Sequence, residues 1–179
     1  MRVLNVHERE FDVAADRLGG VMDSLASVDD GLWPRHSWPA MEFDRGLGVG
    51  AVGGHGPIRY SVEEYRPGEL VRFRFLGPKG FDGVHFFEVV GVAGGRSKLR
   101  HTIEMVTRGL AVLVWPLMIR PLHDALIEDA FATAEASLGL RPRMTPWSFR
   151  VRVLKWIMSG GKARSQVTPE VEDGRASGG

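Results

Sequence analysis

Through the middle of the chain, apolar and polar residues alternate, and turn residues interrupt the alternation at intervals. Residues 58–66, 70–76, 83–90 and 98–106 carry apolar side chains at every second position, the period of strands with one buried face. Arg66-Pro67-Gly68-Glu69 reads as a tight turn, in which proline presets φ and glycine supplies a positive φ. Gly77-Pro78-Lys79-Gly80 and Ala93-Gly94-Gly95 make the next two connections. After Val106 the period changes to helical spacing, which persists over 110–138 with Pro116 and Pro121 inside it. Proline costs about 3 kcal/mol in a helix interior. Two pieces are therefore expected, an apolar one ending near Arg120 and a second with Pro121 at its favoured first position. In the second piece His123, Ile127, Ala130, Phe131, Ala134 and Leu138 form one stripe. Asp124, Glu128 and Glu135 fall outside the stripe, Asp124 and Glu128 at i,i+4 read as surface acids rather than a general acid/base pair, and Gly139 ends the helix.

Before the alternating region, residues 3–11 read as a strand with Leu4 and Val6 on one side and Asn5, His7 and Arg9 on the other. Asp12 is a candidate N-cap for a short helix carrying Val13, Leu18, Val21, Met22 and Leu25. Gly19-Gly20 weakens that helix, so it must lean on tertiary packing. Residues 27–39 are irregular, and their Trp33 and Trp38 are expected to fold back on the core. Residues 41–43 suit a short strand. The glycine-rich run 46–56 lacks the following lysine-bearing helix of a phosphate cradle. It is read instead as a bulged strand approached closely by another backbone or a ligand.

Counting across the three turns places Val62, Phe73, His85 and His101 in one row across four strands. Alternation adds Tyr60, Glu64, Val71, Phe75, Phe87, Val89, Leu99 and Ile103 to the same face. The opposite face receives Arg72, Arg74, Glu88, Arg100, Thr102 and Glu104, a solvated pattern. Two imidazoles on an oily face have three readings. They are core histidines bonded to Tyr60, Glu64 or water; they recognise a ligand or do acid/base chemistry; or, with Glu64, they hold a metal, for which the spacing is not diagnostic. The candidate ligand-binding residues are Tyr60, Val62, Phe73, Phe75, His85, Phe87, His101 and Ile103 on the sheet. Trp33 joins them from the loop and His123 from the helix. No catalytic residue or metal ligand is assigned, and no cofactor is expected.

Composition narrows the function classes. The 179 residues carry a net charge of +1 and no cysteine. Global charge therefore points to no nucleic-acid partner, and thiolate chemistry is excluded. The N-terminus is charged by residue 8, and the most apolar run, 110–119, is shorter than the about 20 residues of a membrane span. A cytoplasmic protein is expected. Residues 141–164 hold seven basic side chains and no acid, interspersed with Trp147, Phe149, Val151, Val153, Leu154, Trp156 and Ile157. Phe149, Val151 and Val153 alternate with Arg150 and Arg152, which is strand period. This extension is either docked on its own domain, the favoured reading, or a peripheral contact with an anionic membrane. Residues 165–179 are polar, rich in small residues and expected to be disordered.

GHGPIRYSVEEYRPGELVRFRF, DGVHFFEVVGVAGGRSKLRHTIEM and WPLMIRPLHDALIEDAFATAEASL resemble the bacterial SRPBCC proteins of the START-like superfamily, which includes polyketide cyclase/dehydrase-type and lipid-transport domains. The resemblance spans residues 1–140 and implies an α+β helix-grip fold, a curved antiparallel sheet around a long C-terminal helix with an apolar cavity between them. It carries over no catalytic residue. Two functions stay open. One is binding, with or without transport, of a lipid, polyketide or isoprenoid. The other is a cyclase/dehydrase-like reaction in which a cavity imidazole removes a proton beside a carbonyl.

Overall fold

The computed structural model describes residues 1–162 and 165–171. Seven antiparallel strands form one sheet: β1 (Arg2–Phe11), β2 (Glu42–Phe43), β3 (Val52–His55), β4 (Ile58–Arg66), β5 (Leu70–Gly77), β6 (Phe81–Val92) and β7 (Arg96–Thr107). Their spatial order is β1-β7-β6-β5-β4-β3-β2, a meander whose last strand returns to pair with the first. The helices are α1 (Ala15–Asp23), α2 (Ala111–Val114), α3 (Arg120–Ser137) and α4 (Phe149–Met158). α3 lies across the inner face, where Ile127, Ala130, Phe131 and Ala134 of the expected stripe are buried with Phe73, Phe87 and Leu99 of the sheet.

Val62 faces Phe73 and Phe73 faces His85, as the turn counting predicts. The last step of the row is corrected. His85 faces Ile103, and His101 faces Phe87. Gly94, with φ +80, sits at the centre of the β6–β7 turn, one residue beyond the expected centre. A one-residue shift of the centre moves the partner by two, so both imidazoles keep the inner face. A second correction concerns Glu64. An irregularity between Val62 and Glu64 leaves Glu63 without a partner across the ladder. That extra residue turns Glu64 off the inner face, where it pairs with Arg66 at 3.3 Å.

Gly19 explains why α1 carries a residue of poor helix propensity. A Cβ there would stand 2.5 Å from the Gly68 carbonyl oxygen. Its absence lets α1 press on the β4–β5 turn, whose Gly68 N–H donates to the Asp23 carboxylate at 2.8 Å. The helix begins at Ala14 without a side-chain cap, not at Asp12.

The two prolines do not break the long helix. Trp115–Ile119 forms a π-helical stretch that joins α2 to α3, with Pro116 and Pro121 each in the opening positions of its segment. Gly139 adopts φ +76, and the Leu140 N–H returns to the Glu135 carbonyl at 2.8 Å, closing the helix as expected.

The extension departs from its expected strand period. Ser148 caps α4 by accepting the Val151 N–H at 3.3 Å. Val151, Leu154, Lys155 and Met158, at helical spacing, turn toward the domain, and Val151 is 4% exposed. The Lys155 ammonium lies 3.6 Å and 3.9 Å from the ring centroids of Trp38 and Trp147. Beyond it, Gln166 bonds to Asp129 and the Val167 N–H to Ser37. Gln166 and Val167, within the tail expected to be disordered from residue 165, thus have hydrogen-bond partners in the domain. Residues 172–179 of that expected tail lie outside the described residues.

Candidate functional site

Between the inner face of the sheet and α3 lies a cavity of about 100 Å³. Sheet residues Phe75, His85, Phe87, His101 and Ile103 form its floor, and His123, Leu126 and Ile127 of α3 its roof. Trp33 and Trp38 close one side, Trp115 stands at another, and Met158 of α4 reaches the rim. Trp33, Phe75, His85, Phe87, His101, Ile103 and His123 thus line the cavity as a set. Tyr60, Val62 and Phe73 do not line it. They are buried in the core packed against it, with Tyr60 and Phe73 each 4.8 Å from the His85 ring.

The polar atoms in this wall have few partners. His85 Nδ1 meets His101 Nε2 at 3.3 Å, so one of these nitrogens donates to the other. His85 Nε2, His101 Nδ1 and the Tyr60 hydroxyl are buried without a hydrogen bond. The His123 ring follows 4.9 Å from His101. Its Nδ1 stands 3.5 Å from Asp124 Oδ1, at the outer limit of hydrogen bonding. His55 enters from β3 and lies 4.8 Å from the Trp33 ring. Burial, reinforced by the neighbouring His123, pulls the His55 pKa down to about 3. Burial also takes His85 and His101 well below the ordinary value and lowers His123 despite the adjacent Asp124. The cavity imidazoles are therefore neutral at pH 7, and burial holds the Tyr60 phenol protonated.

A charged strip adjoins the cavity where β1 packs on α3. β1 pairs with β7, which turns Asn5, His7 and Arg9 inward and leaves Leu4 71% exposed. Asp124 and Glu128 are corrected from surface acids to partners of this strand. His7 Nε2 lies 3.0 Å from Asp124, His7 Nδ1 lies 3.1 Å from Glu128, and Arg9 donates to Glu128 at 2.7 Å. Glu135 is buried and receives Arg9 and Arg143. Burial acts to lower the His7 pKa, but the bonds to Asp124 and Glu128 outweigh it and raise it to about 9. Among the described residues, the atoms of His7, His123 and Asp124 approach metal-ligand spacing, all within 4.8 Å of one another. Both His7 nitrogens are already engaged, Nε2 with Asp124 and Nδ1 with Glu128, so the cluster reads as an ion-pair network.

No protein-family model matches the chain, and no curated protein matches it in sequence. Solved structures do match. A truncated norcoclaurine synthase from Thalictrum flavum superposes with a TM-score of 0.56 and 19% identity, over 75% of this chain and 92% of that one. A protein from Thermobifida fusca gives 0.59 and 12% over 79% and 99%. One from Nitrosospira multiformis gives 0.56 and 14% over 74% and 95%. The chain has the α+β helix-grip fold. At these identities the likeness extends to the fold and not to activity.

Among the contributors to the site that the sequence does not mark are His55, His7 and Met158. His55 was hidden in a glycine-rich run, where alternation is weak. His7 lay on a polar strand face that looks solvated until it is matched to the i,i+4 acids of α3. Met158 belonged to an extension whose helical period was masked by arginines.

Proposed function

We propose that this protein binds a small apolar molecule, aromatic or polyene-like in character, in the cavity beneath α3. The observation that carries the reading is a largely apolar pocket whose wall keeps buried imidazole nitrogens without partners. A ligand carbonyl or hydroxyl would satisfy His85 Nε2 or His101 Nδ1, and otherwise each is costly to bury. The volume of about 100 Å³ falls short of the roughly 300–1,000 Å³ that encloses a drug-sized ligand. A single ring, or the leading end of a longer molecule entering past Trp33 and Met158, suits it. Norcoclaurine synthase, which shares the fold, is known in complex with dopamine and hydroxybenzaldehyde, and single-ring ligands in that protein support the reading. Titration with 4-hydroxyacetophenone, a single-ring probe, should quench tryptophan emission saturably, because Trp33, Trp38 and Trp115 line the wall. Ile127→Trp, which fills the space, should weaken binding by about tenfold or more, a cost of about 1.4 kcal/mol. Unsaturable quenching in the unsubstituted protein ends the proposal.

A second reading is acid/base catalysis in the same cavity, favoured by the file of imidazoles from His85 through His101 and His123 to Asp124. Neutral imidazoles are in the basic form. A proton taken from a substrate by His101 would have His123 beside it and Asp124 and His7 beyond. The discriminating result is incorporation of solvent deuterium beside the carbonyl of a bound aromatic ketone. His101→Phe should slow it by about 100-fold or more. Absence of exchange in the unsubstituted protein leaves the binding function alone.

A further inference from the structure

α4 has two apolar faces, and the domain uses only one. Val151, Leu154 and Met158 turn inward. On the opposite side Phe149 is 74% exposed, Val153 37%, Trp156 56% and Ile157 57%. At about 100° per residue these four fall on one side of the helix. The surface continues beyond α4. Arg150 donates to the carbonyls of Pro116 and Leu117 at 3.3 Å and 2.7 Å, which sets α4 beside the π-helical stretch and its exposed Leu117. Contiguous exposed apolar surface marks an interaction site.

We propose that this face docks the protein on an anionic phospholipid bilayer. The charge pattern selects that occupant. Arg150 and Arg152 lie at opposite borders of the apolar face, on the same helical count. The sequence contains no acid from Gly139 to Lys162. Among the described residues, Arg152 and Lys162 form no salt bridge. An apolar centre with cationic borders complements acyl chains beneath anionic headgroups, and Trp156 is the side chain that favours that boundary. A second copy packed face to face would set the same arginine borders against each other. No helix among the described residues is long and apolar enough to cross a membrane, so the contact is peripheral. Met158 lines the cavity and is 50% exposed. The docked face therefore adjoins the cavity rim, the side from which an apolar ligand would come.

The test is co-sedimentation of the full chain with phosphatidylcholine vesicles, with and without phosphatidylserine. At low salt the protein should pellet with the anionic vesicles and stay in solution with the neutral ones. Phe149→Ser, Trp156→Ser and Ile157→Ser combined should reduce binding by more than tenfold with an unchanged circular dichroism spectrum, since these side chains bury little in the domain. Arg152→Gln and Lys162→Gln should each cost roughly fivefold, the factor for about 1 kcal/mol per basic residue near an anionic surface. Ile127→Trp should bind vesicles normally, which separates this face from the cavity function. The proposal is overturned if the unsubstituted protein remains in solution with anionic vesicles. It is also overturned if both sets of variants pellet undiminished, or if light scattering shows a dimer that the triple substitution dissociates.

Discussion

Acidification from about pH 7 to about pH 5 should destabilise this protein by several kcal/mol, enough to unfold a domain of ordinary stability. The cause is the set of imidazoles around the cavity. An unfolded histidine titrates near 6.5. In the fold His55 is held down to about 3, His85 and His101 lie well below the ordinary value, and His123 is lowered, chiefly by burial in each case. A base whose folded pKa is depressed takes its proton first in the unfolded chain. Stability from these groups is therefore complete above about pH 6.5 and lost as pH falls toward the folded values. Each contributes about 1.4 kcal/mol per pH unit inside its window, so several acting together make the acid limb steep. His7 runs the opposite way. Its pKa is raised to about 9, so its stabilisation is complete below about pH 6.5 and disappears as pH climbs through 9. Its side chain is 16% exposed and it is a single group, which makes the alkaline limb shallower. Asp124 and Glu128 are lowered and titrate too far into acid to disturb the neutral region. Urea denaturation across pH 4.5–9 should give a stability maximum near about pH 6.5, with a slope below it of more than one proton. His101→Phe should remove about one proton from that slope. A flat profile between pH 5 and 7 contradicts the neutral, desolvated state assigned to these rings.

The inner sheet face was legible because the strand period is two. Misplacing the β6–β7 turn centre by one residue changed the partner of His85 from Ile103 to His101 but left both rings on the same side. The helix stripe was legible for the same kind of reason, since Ile127, Ala130, Phe131 and Ala134 repeat at the helical period. Features joining distant segments were not. The pairing of β1 with β7 turns a polar strand face inward, and only the acids of α3 explain why Asn5, His7 and Arg9 are tolerated there. α4 was misread because it is apolar on two sides. Arginines at the borders between those sides produced a false alternation over residues 149–153. The irregularity that removed Glu64 from the inner face costs one unpaired residue, and nothing in YSVEEYR marks which residue that is.

Asp129 is the plainest case of a residue whose role has no local signature, and Asp129→Ala should lower stability by about 4 kcal/mol. The side chain is 4% exposed and lies on α3. Its Oδ2 accepts the indole N–H groups of Trp38 and Trp147 at 2.7 Å and 2.8 Å, and its Oδ1 accepts the Gln166 amide at 2.7 Å. One carboxylate thus holds the Trp38 loop, the segment before α4 and the segment after it against α3. Burial raises the Asp129 pKa, while the three donors and the charge of Lys155 favour its ionised form. Hydrogen bonds to a charged group are worth about 1.5–3 kcal/mol each. Truncation strands three donors at once, and breaking one side of a buried charged network typically costs about 3–5 kcal/mol. Asp129→Asn keeps one acceptor oxygen but turns donors toward donors, so it should recover only part of the loss. The damage should be directional. With its anchor gone, the segment after Leu140 should become cleavable by trypsin after Arg143 while the sheet stays resistant. Binding of 4-hydroxyacetophenone should weaken as well, because Trp38 and Met158 lose their footing at the cavity rim. An Asp129→Ala protein with near-normal stability and an uncut C-terminal segment would show that α4 is held by its apolar inner face alone.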